Sequence, residues 1–258
     1  MTMYAAERHH EILDAVREHG RVSVQALAET LQVTPETVRR DLTDLEHRGL
    51  LRRTHGGAVR IERMSFSTPV TDRKGLYDEE KEAIAATALT EINDYTTIGI
   101  DAGTTTIKLA EQIPPTRRLT VVTYSLIVAS SLAAHPHVKV HFLGGVIQEN
   151  SRAAVGPWTL DLVSRITLDQ VFLSVDGINR RHGLTTHNLD EAAVKGALMA
   201  ASRRTVVLAD NSKMKREEFG RIAPLSQVDQ IITDGGVDVA YARELEERGP
   251  EVAVVPVR

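Results

Sequence analysis

Beyond residue 77, short apolar runs rich in Val, Ile and Thr alternate with stretches of helical periodicity, and that alternation constrains the fold more than any other feature of the chain. The candidate strands are residues 96–100, 119–123, 138–143, 170–175, 205–209, 230–233 and 251–255. Helical patterns fill the gaps at 79–91, 105–112, 126–134, 189–202 and 237–248. A strand that returns through a crossover helix runs parallel to its predecessor. The segment is therefore expected to form an α/β unit, its mostly parallel sheet covered by helices on both faces.

The first 59 residues follow a different rule. Apolar positions Ile12, Leu13 and Val16 recur at helical spacing, and Gly20 supplies a stop. Ser23 is a candidate N-cap for a second helix carrying Ala26, Leu27 and Leu31. Thr34-Pro35-Glu36 reads as a third helix start: a cap, proline at the first helical position, and an acid on the positive helix end. That helix aligns Val38, Leu42 and Leu45, and Gly49 is expected to end it. Residues 50–59 read as two short strands around Gly56-Gly57. Residues 60–77 are polar and aperiodic, as in a linker. The expected division is 1–59, 60–77 and 78–258.

Whole-chain charge points away from nucleic acid, because 31 Lys+Arg face 35 Asp+Glu, net −4. The distribution reverses that. Residues 1–38 hold three Arg and six acids, net −3, whereas residues 39–63 hold seven Arg and four acids, net +3. Three short helices and a basic hairpin describe a winged helix-turn-helix, with arginines on the third helix and the wing. Recognition helices read bases through residues near their N-terminal end, which nominates Thr34, Glu36, Thr37 and Arg40, with Arg39 a further DNA-binding candidate beside Arg40; Arg40 suits a bidentate contact to guanine. Arg52, Arg53 and His55 on the hairpin are placed for phosphates or the minor groove. A protein-binding bundle with a solvated Arg–acid face is the alternative, through pairs such as Arg40–Asp44. Segregation of the charges favours double-stranded DNA.

The absence of cysteine excludes disulfides and thiolate chemistry. No apolar run approaches the ~18 residues of a membrane span, and the N-terminal residues lack a secretory apolar core. A cytoplasmic protein without a membrane partner is the expectation.

In the larger segment, Ile98–Ile100 ends in Asp101-Ala102-Gly103-Thr104-Thr105-Thr106, a small-residue turn that opens a helix. Backbone N–H groups at a helix start, with nearby hydroxyls, suit a phosphate-sized anion; a plain strand–helix turn with a Thr cap is an equal alternative. The motif is neither a GxGxxG fingerprint nor a Walker loop. Other strand ends add Tyr124 and Ser125, Gly144 and Gly145, Asp176, and Asp210 to Lys213. Each reads singly as a cap or surface ion pair. Ligands of open α/β sheets bind beyond the carboxyl ends of strands, so repetition there favours one crevice. Asp176 would meet sugar hydroxyls and Lys213 a phosphate or the Asp.

The runs Val22–Ala28, Val33–Leu42 and Leu45–Ala58, with "TVRRDL" and "HGGA" at fixed spacing, resemble the N-terminal signature of DeoR-type bacterial transcriptional regulators. The similarity continues through Ile100–Thr106, Val121–Ser125, Gly144-Gly145, Asp176-Gly177-Ile178, Glu191–Lys195 and Ala209–Lys213. It implies a C-terminal domain similar to ribose-5-phosphate isomerase. It further implies an effector, a phosphorylated sugar or related metabolite, that alters the hold on operator DNA. Lys195 joins the implied effector set, and repression by a homodimer or homotetramer is the implied mode. Tyr124 stands where the family more often has Asn. An isomerase with an appended DNA-binding domain is the rival, but the resemblance calls for two aspartates three residues apart after Asp-Gly, and here the pair is Asp176 and Asn179. Glu191 is a candidate base that equally fits an i, i+4 pair with Lys195. No turnover, no cofactor and no metal are expected; His135, His137 and His141 lack a zinc-site spacing.

Overall fold

A computed structural model describes residues 4–47, 50–59, 70 and 76–257. The chain divides into two compact units, Met1–Thr68 and Pro69–Arg258. Gly49 and most of the 60–77 stretch lie outside the described residues.

The smaller unit contains α1 (Ala5–His19), β1 (Arg21–Ser23), α2 (Val24–Thr30), α3 (Pro35–His47), β2 (Arg52–Thr54) and β3 (Gly57–Val59). Its signals act as read. Gly20, at φ +70°, ends α1 in the left-handed conformation that lacks a Cβ penalty. Ser23 Oγ accepts from Ala26 N at 3.1 Å, and Thr34 Oγ1 accepts from Thr37 N at 3.3 Å. Ile12, Val16, Leu27, Val38, Leu42 and Leu45 close a common core. Two features differ from expectation. The turn uses His55 and Gly56, leaving Gly57 inside β3, and β1 adds a third strand in the antiparallel order β1-β3-β2. Gly57 lies so close to β1 that a Cβ there would come 1.9 Å from the Val22 carbonyl oxygen. The second glycine thus serves strand packing rather than the turn.

The larger unit begins with α4 (Asp78–Thr90), β4 (Thr97–Ile100), α5 (Thr104–Gln112), β5 (Leu119–Thr123), α6 (Leu126–Leu132) and β6 (Val138–Phe142). A short hairpin, β7 (Val146–Ile147) and β8 (Ala154–Val155), leads into α7 (Pro157–Val163) and β9 (Gln170–Ser174). There follow β10 (Gly177–Asn179), β11 (Gly183–Thr186), α8 (Leu189–Ala200), β12 (Thr205–Leu208), β13 (Gly220–Ala223), β14 (Gln230–Asp234), α9 (Val239–Glu246) and β15 (Glu251–Val255). Seven strands form one sheet in the order β15-β14-β12-β9-β4-β5-β6, and every pairing in it is parallel.

Alternating strand residues feed two cores. Ile98, Ile100, Val121, Phe172, Val206 and Ile232 pack with α4, α5 and α6. Val122, Val171, Leu173, Val207 and Ile231 pack with α7, α8 and α9. A parallel sheet buried on both faces needs nearly continuous apolar strands, which accounts for the runs seen in the sequence.

The strand order carries the functional geometry. After β4 the chain moves outward through β5 and β6, then returns to place β9 on the other side of β4 and continues to β15. The reversal falls between β4 and β9, and a crevice at such a switch point is where ligands of open α/β sheets bind. β10, β11 and β13 form a separate antiparallel sheet.

Candidate nucleic-acid interface and ligand crevice

On α3, the exposed arc contains Thr34, Glu36, Arg39 and Arg40, with Thr37 half-buried. Glu36 and Arg39 pair with each other at 2.9 Å on the open surface. Arg40 is exposed and makes no ion pair among the described residues, which leaves its five-donor fork for an outside acceptor. Arg53 of the wing folds onto the helix: its backbone N donates to Glu46 Oε1 and its guanidinium to Thr43 Oγ1, both at 2.8 Å. The wing is thereby fixed in register with α3, while His55 is exposed at its tip. The side chain of Arg52 lies outside the described residues.

A buried clamp holds α3 from behind. Asp41, 4% exposed, accepts from Arg8 Nε at 2.8 Å, from Arg8 Nη2 at 3.0 Å, and meets His9 Nε2 at 3.0 Å. Hydrogen bonding to Asp41, against the cost of burial, raises the Arg8 pKa further above its already high value.

In the larger unit, the α5 N-terminus opens at the switch point. The first N–H groups of a helix have no intrahelical acceptor, and Gly103 at the cap position has no side chain to satisfy them. Glycine is required here, because a Cβ on residue 103 would sit 1.9 Å from Ser174 Oγ. Thr104 is half-buried and Thr105 buried, and neither hydroxyl is bonded among the described residues. The Thr106 hydroxyl is committed internally, accepting from Gly103 N at 2.9 Å and facing the carbonyls of Asp101 and Gly103.

Asp101 is fully buried and saturated. Oδ2 accepts from Ser174 N at 2.8 Å, Ser174 Oγ at 2.5 Å and Lys195 Nζ at 2.5 Å, while Oδ1 accepts from the Tyr124 phenol. Burial opposes its ionisation, but the Lys195 charge and the bonds from Lys195, Ser174 and Tyr124 outweigh it and hold the carboxyl below the usual range. Tyr124 is pushed well above its ordinary pKa, by burial first and then by the Asp101 and Glu191 charges, so it remains a proton donor. Lys195, 3% exposed, also donates to the Ser174 carbonyl at 3.0 Å. The network ties β4 to β9 across the switch point.

The remaining groups lie around this floor. Ser125 caps α6, its Oγ accepting from Val128 N at 3.3 Å. Gly145, at φ +153°, packs against the Val155 carbonyl, and Thr159 bonds the neighbouring Gly144 carbonyl at 2.7 Å. Asp176 accepts from Thr186 Oγ1 at 2.7 Å and meets His187 Nδ1 at 2.6 Å. Asp210 is buried, with Oδ1 accepting from Ser212 N and Oδ2 lacking a hydrogen bond among the described residues. Burial raises its pKa, but the charge of Lys213, the Ser212 bond and the charge of Lys81 bring it below the ordinary value. Asn179 turns into its own loop, accepting from Arg181 N at 2.8 Å. A cavity of about 500 Å³ between α7 and α8, lined by Leu160, Val163, Ile166, Ala197, Ala200 and Ala201, lies instead toward the amino ends of β9 and β12. Among the described residues, no group of three or more His, Asp or Glu side chains is placed to hold a metal, and no helix is long and apolar enough to cross a membrane.

The family model described as the DeoR C terminal sensor domain matches residues 77–235, and the DeoR-like helix-turn-helix domain matches residues 8–64. The chain belongs to the DeoR family. Among its relatives, the HTH-type transcriptional regulator GlpR of Haloferax volcanii is 34% identical over 97% of this chain and 98% of its own. The Glycerol-3-phosphate regulon repressor of Escherichia coli is 33% identical over 95% of this chain and 97% of its own. A solved ribose 5-phosphate isomerase A from Methanocaldococcus jannaschii aligns with a TM-score of 0.41 and 14% identity, covering 54% of this chain and 56% of that one.

In this DeoR-family chain the crevice brings together Asp101, the 103–106 turn, Tyr124 and Lys195. Sequence reasoning missed Ser174, which binds Asp101 through two atoms, and His187, which meets Asp176. It also missed Lys81, 3% exposed on α4 and electrostatically felt by Asp210. A lysine on the apolar face of a helix was the available signal for Lys81. A serine closing an apolar strand carries no comparable signal.

Proposed function

We propose that this chain is a DNA-binding repressor of a carbohydrate-catabolism operon whose hold on its operator is controlled by a phosphorylated sugar or related metabolite. The observation that carries the reading is the uncapped α5 N-terminus opening at the β4/β9 switch point, beside two unspent threonine hydroxyls. Phosphate is the ligand group that such a cradle suits, and the Escherichia coli relative bears the name Glycerol-3-phosphate regulon repressor. In this reading the N–H groups of residues 104–106 and the hydroxyls of Thr104 and Thr105 take the phosphate, with Lys213 at the rim. Ser125, Gly145 and Asp176 shape the crevice walls. Asp101, Thr106, Tyr124 and Lys195 position the floor.

On the DNA side, Arg40 reads bases with Thr34, Glu36 and Thr37, while Arg39, Arg52, Arg53 and His55 supply phosphate and groove contacts. The working form is a cytoplasmic homodimer or homotetramer, so that two recognition helices meet half-sites about 34 Å apart. The effector acts through its different affinities for the DNA-competent and incompetent states. We read the larger unit as a sensor without turnover, because Asp101 and Lys195 are locked together and Asn179 replaces the second carboxylate. Sugar phosphates would be screened for thermal stabilisation of the full chain, and any hit tested for release of DNA selected from a random pool. If no phosphorylated metabolite stabilises the protein, or if ribose 5-phosphate is steadily converted to ketose, the reading fails.

A further inference from the structure

Four carboxylates lie beyond the carboxyl ends of the sheet strands or at the start of α8, and three of them have protein donors. Asp101 has donors from Ser174, Lys195 and Tyr124; Asp176 has Thr186 and His187; Asp210 has Ser212 on Oδ1, while its Oδ2 lacks a hydrogen bond among the described residues but sits near the charges of Lys213 and Lys81. Glu191 differs. It is 5% exposed, and its backbone N is satisfied by the Asn188 cap at 3.0 Å, yet its carboxylate makes no hydrogen bond or ion pair among the described residues. The i, i+4 pair with Lys195 suggested by the sequence does not form, because Lys195 turns to Asp101 and Ser174. Helical spacing nevertheless sets Glu191 one turn before Lys195 on the buried face of α8, and its charge bears on Tyr124.

A nearly buried carboxylate without protein donors must take them from water or from a ligand, and its oxygens are not among the fully buried unbonded atoms, so both can reach it. We infer that Glu191 is the specificity-determining acceptor for the hydroxyl groups of the effector. This rests on the sensor reading and narrows it to polyol phosphates. Glu191 accepts only, and two neighbouring hydroxyls match its two oxygens. An ammonium donor is disfavoured, since it would enter beside the Lys195 cation. Phosphate affinity then resides at α5, whereas discrimination between a sugar phosphate and a plain alkyl phosphate resides at α8.

The test is calorimetric titration of the full-length protein and its E191A and E191Q variants with three polyol phosphates (glycerol 3-phosphate, ribose 5-phosphate and glucose 6-phosphate). n-Propyl phosphate and inorganic phosphate serve as controls. The wild-type protein is expected to prefer at least one polyol phosphate over n-propyl phosphate by about 10- to 100-fold, the range for a hydrogen bond to a charged group. E191A removes that preference while leaving n-propyl phosphate binding unchanged or tighter, and E191Q retains part of it. Circular dichroism confirms that each variant is folded. If E191A keeps the full preference, or if wild type shows none, the assignment of Glu191 is overturned. If wild type binds no phosphate compound at all, the sensor reading falls with it.

Discussion

Replacing Lys195 with Met keeps the bulk of the side chain and removes one buried charge. The variant loses the 2.5 Å bond to Asp101 Oδ2 and the 3.0 Å bond to the Ser174 carbonyl. Asp101 itself stays fully buried, with only the Ser174 and Tyr124 donors remaining. Breaking a buried pair by deleting one partner costs about 3–5 kcal/mol. For a domain of this size, about 2–4 °C of melting temperature accompanies each kcal/mol, so the larger unit should melt roughly 6–20 °C lower. The pH dependence supplies a second, signed readout. In the wild type, the lowered Asp101 pKa contributes stability above the unfolded value of 3.8 that is lost as pH falls through the folded value. Without the Lys195 charge, burial is the largest influence left and raises the Asp101 pKa. The variant is then stabilised where Asp101 is protonated and penalised as pH rises. The gap between the two proteins should therefore be widest near neutral pH and shrink toward pH ~4. Scanning calorimetry at several pH values measures it, and the double variant D101N/K195M should recover more than half of the loss, since no uncompensated charge remains. A Lys195→Met protein within about 1 kcal/mol of wild type at neutral pH, or a gap that widens on acidification, would refute the account of the switch-point floor.

Three further outcomes follow from the same geometry. Arg40→Ala should relax sequence selectivity, whereas Arg53→Ala should weaken all DNAs alike and lower the salt slope of binding by about one; anisotropy titrations at several salt concentrations separate the two. Gly103→Ala forces a Cβ to within 1.9 Å of Ser174 Oγ, and this overpacking should cost about 1–3 kcal/mol in urea denaturation. Asp41→Ala removes the acceptor shared by Arg8 and His9 behind α3, so the smaller unit should lose about 1.5–3 kcal/mol and DNA binding should fall, while the melting of the larger unit stays unchanged.

The seven-stranded sheet was legible because each of its strands is an apolar run of ordinary length, set between amphipathic helices long enough to show their period. β7 and β8 have two residues each, and α7 spans under two full turns, so no periodicity could accumulate in them. β1 was hidden for a similar reason: Arg21-Val22-Ser23 is too short to display alternation. At the site, positions were easier to read than partnerships. The 103–106 turn and the strand-end Asp101 stood out, but the sequence could not show that Thr106 turns inward or that Lys195 chooses Asp101 over Glu191. Those choices depend on which strands become neighbours, and β4 meets β9 only after about seventy intervening residues have been folded away.

The placement of the lysines has a practical consequence for chemical mapping. Residues 1–68 contain no lysine, and in the other unit Lys81 and Lys195 are each 3% exposed while Lys215 is open. Side-chain acylation with an amine-selective reagent would therefore leave the arginine-based recognition surface untouched and mark only the larger unit. Within that unit, slow labelling of Lys195 becomes a clock for how often the joint between β4 and β9 opens.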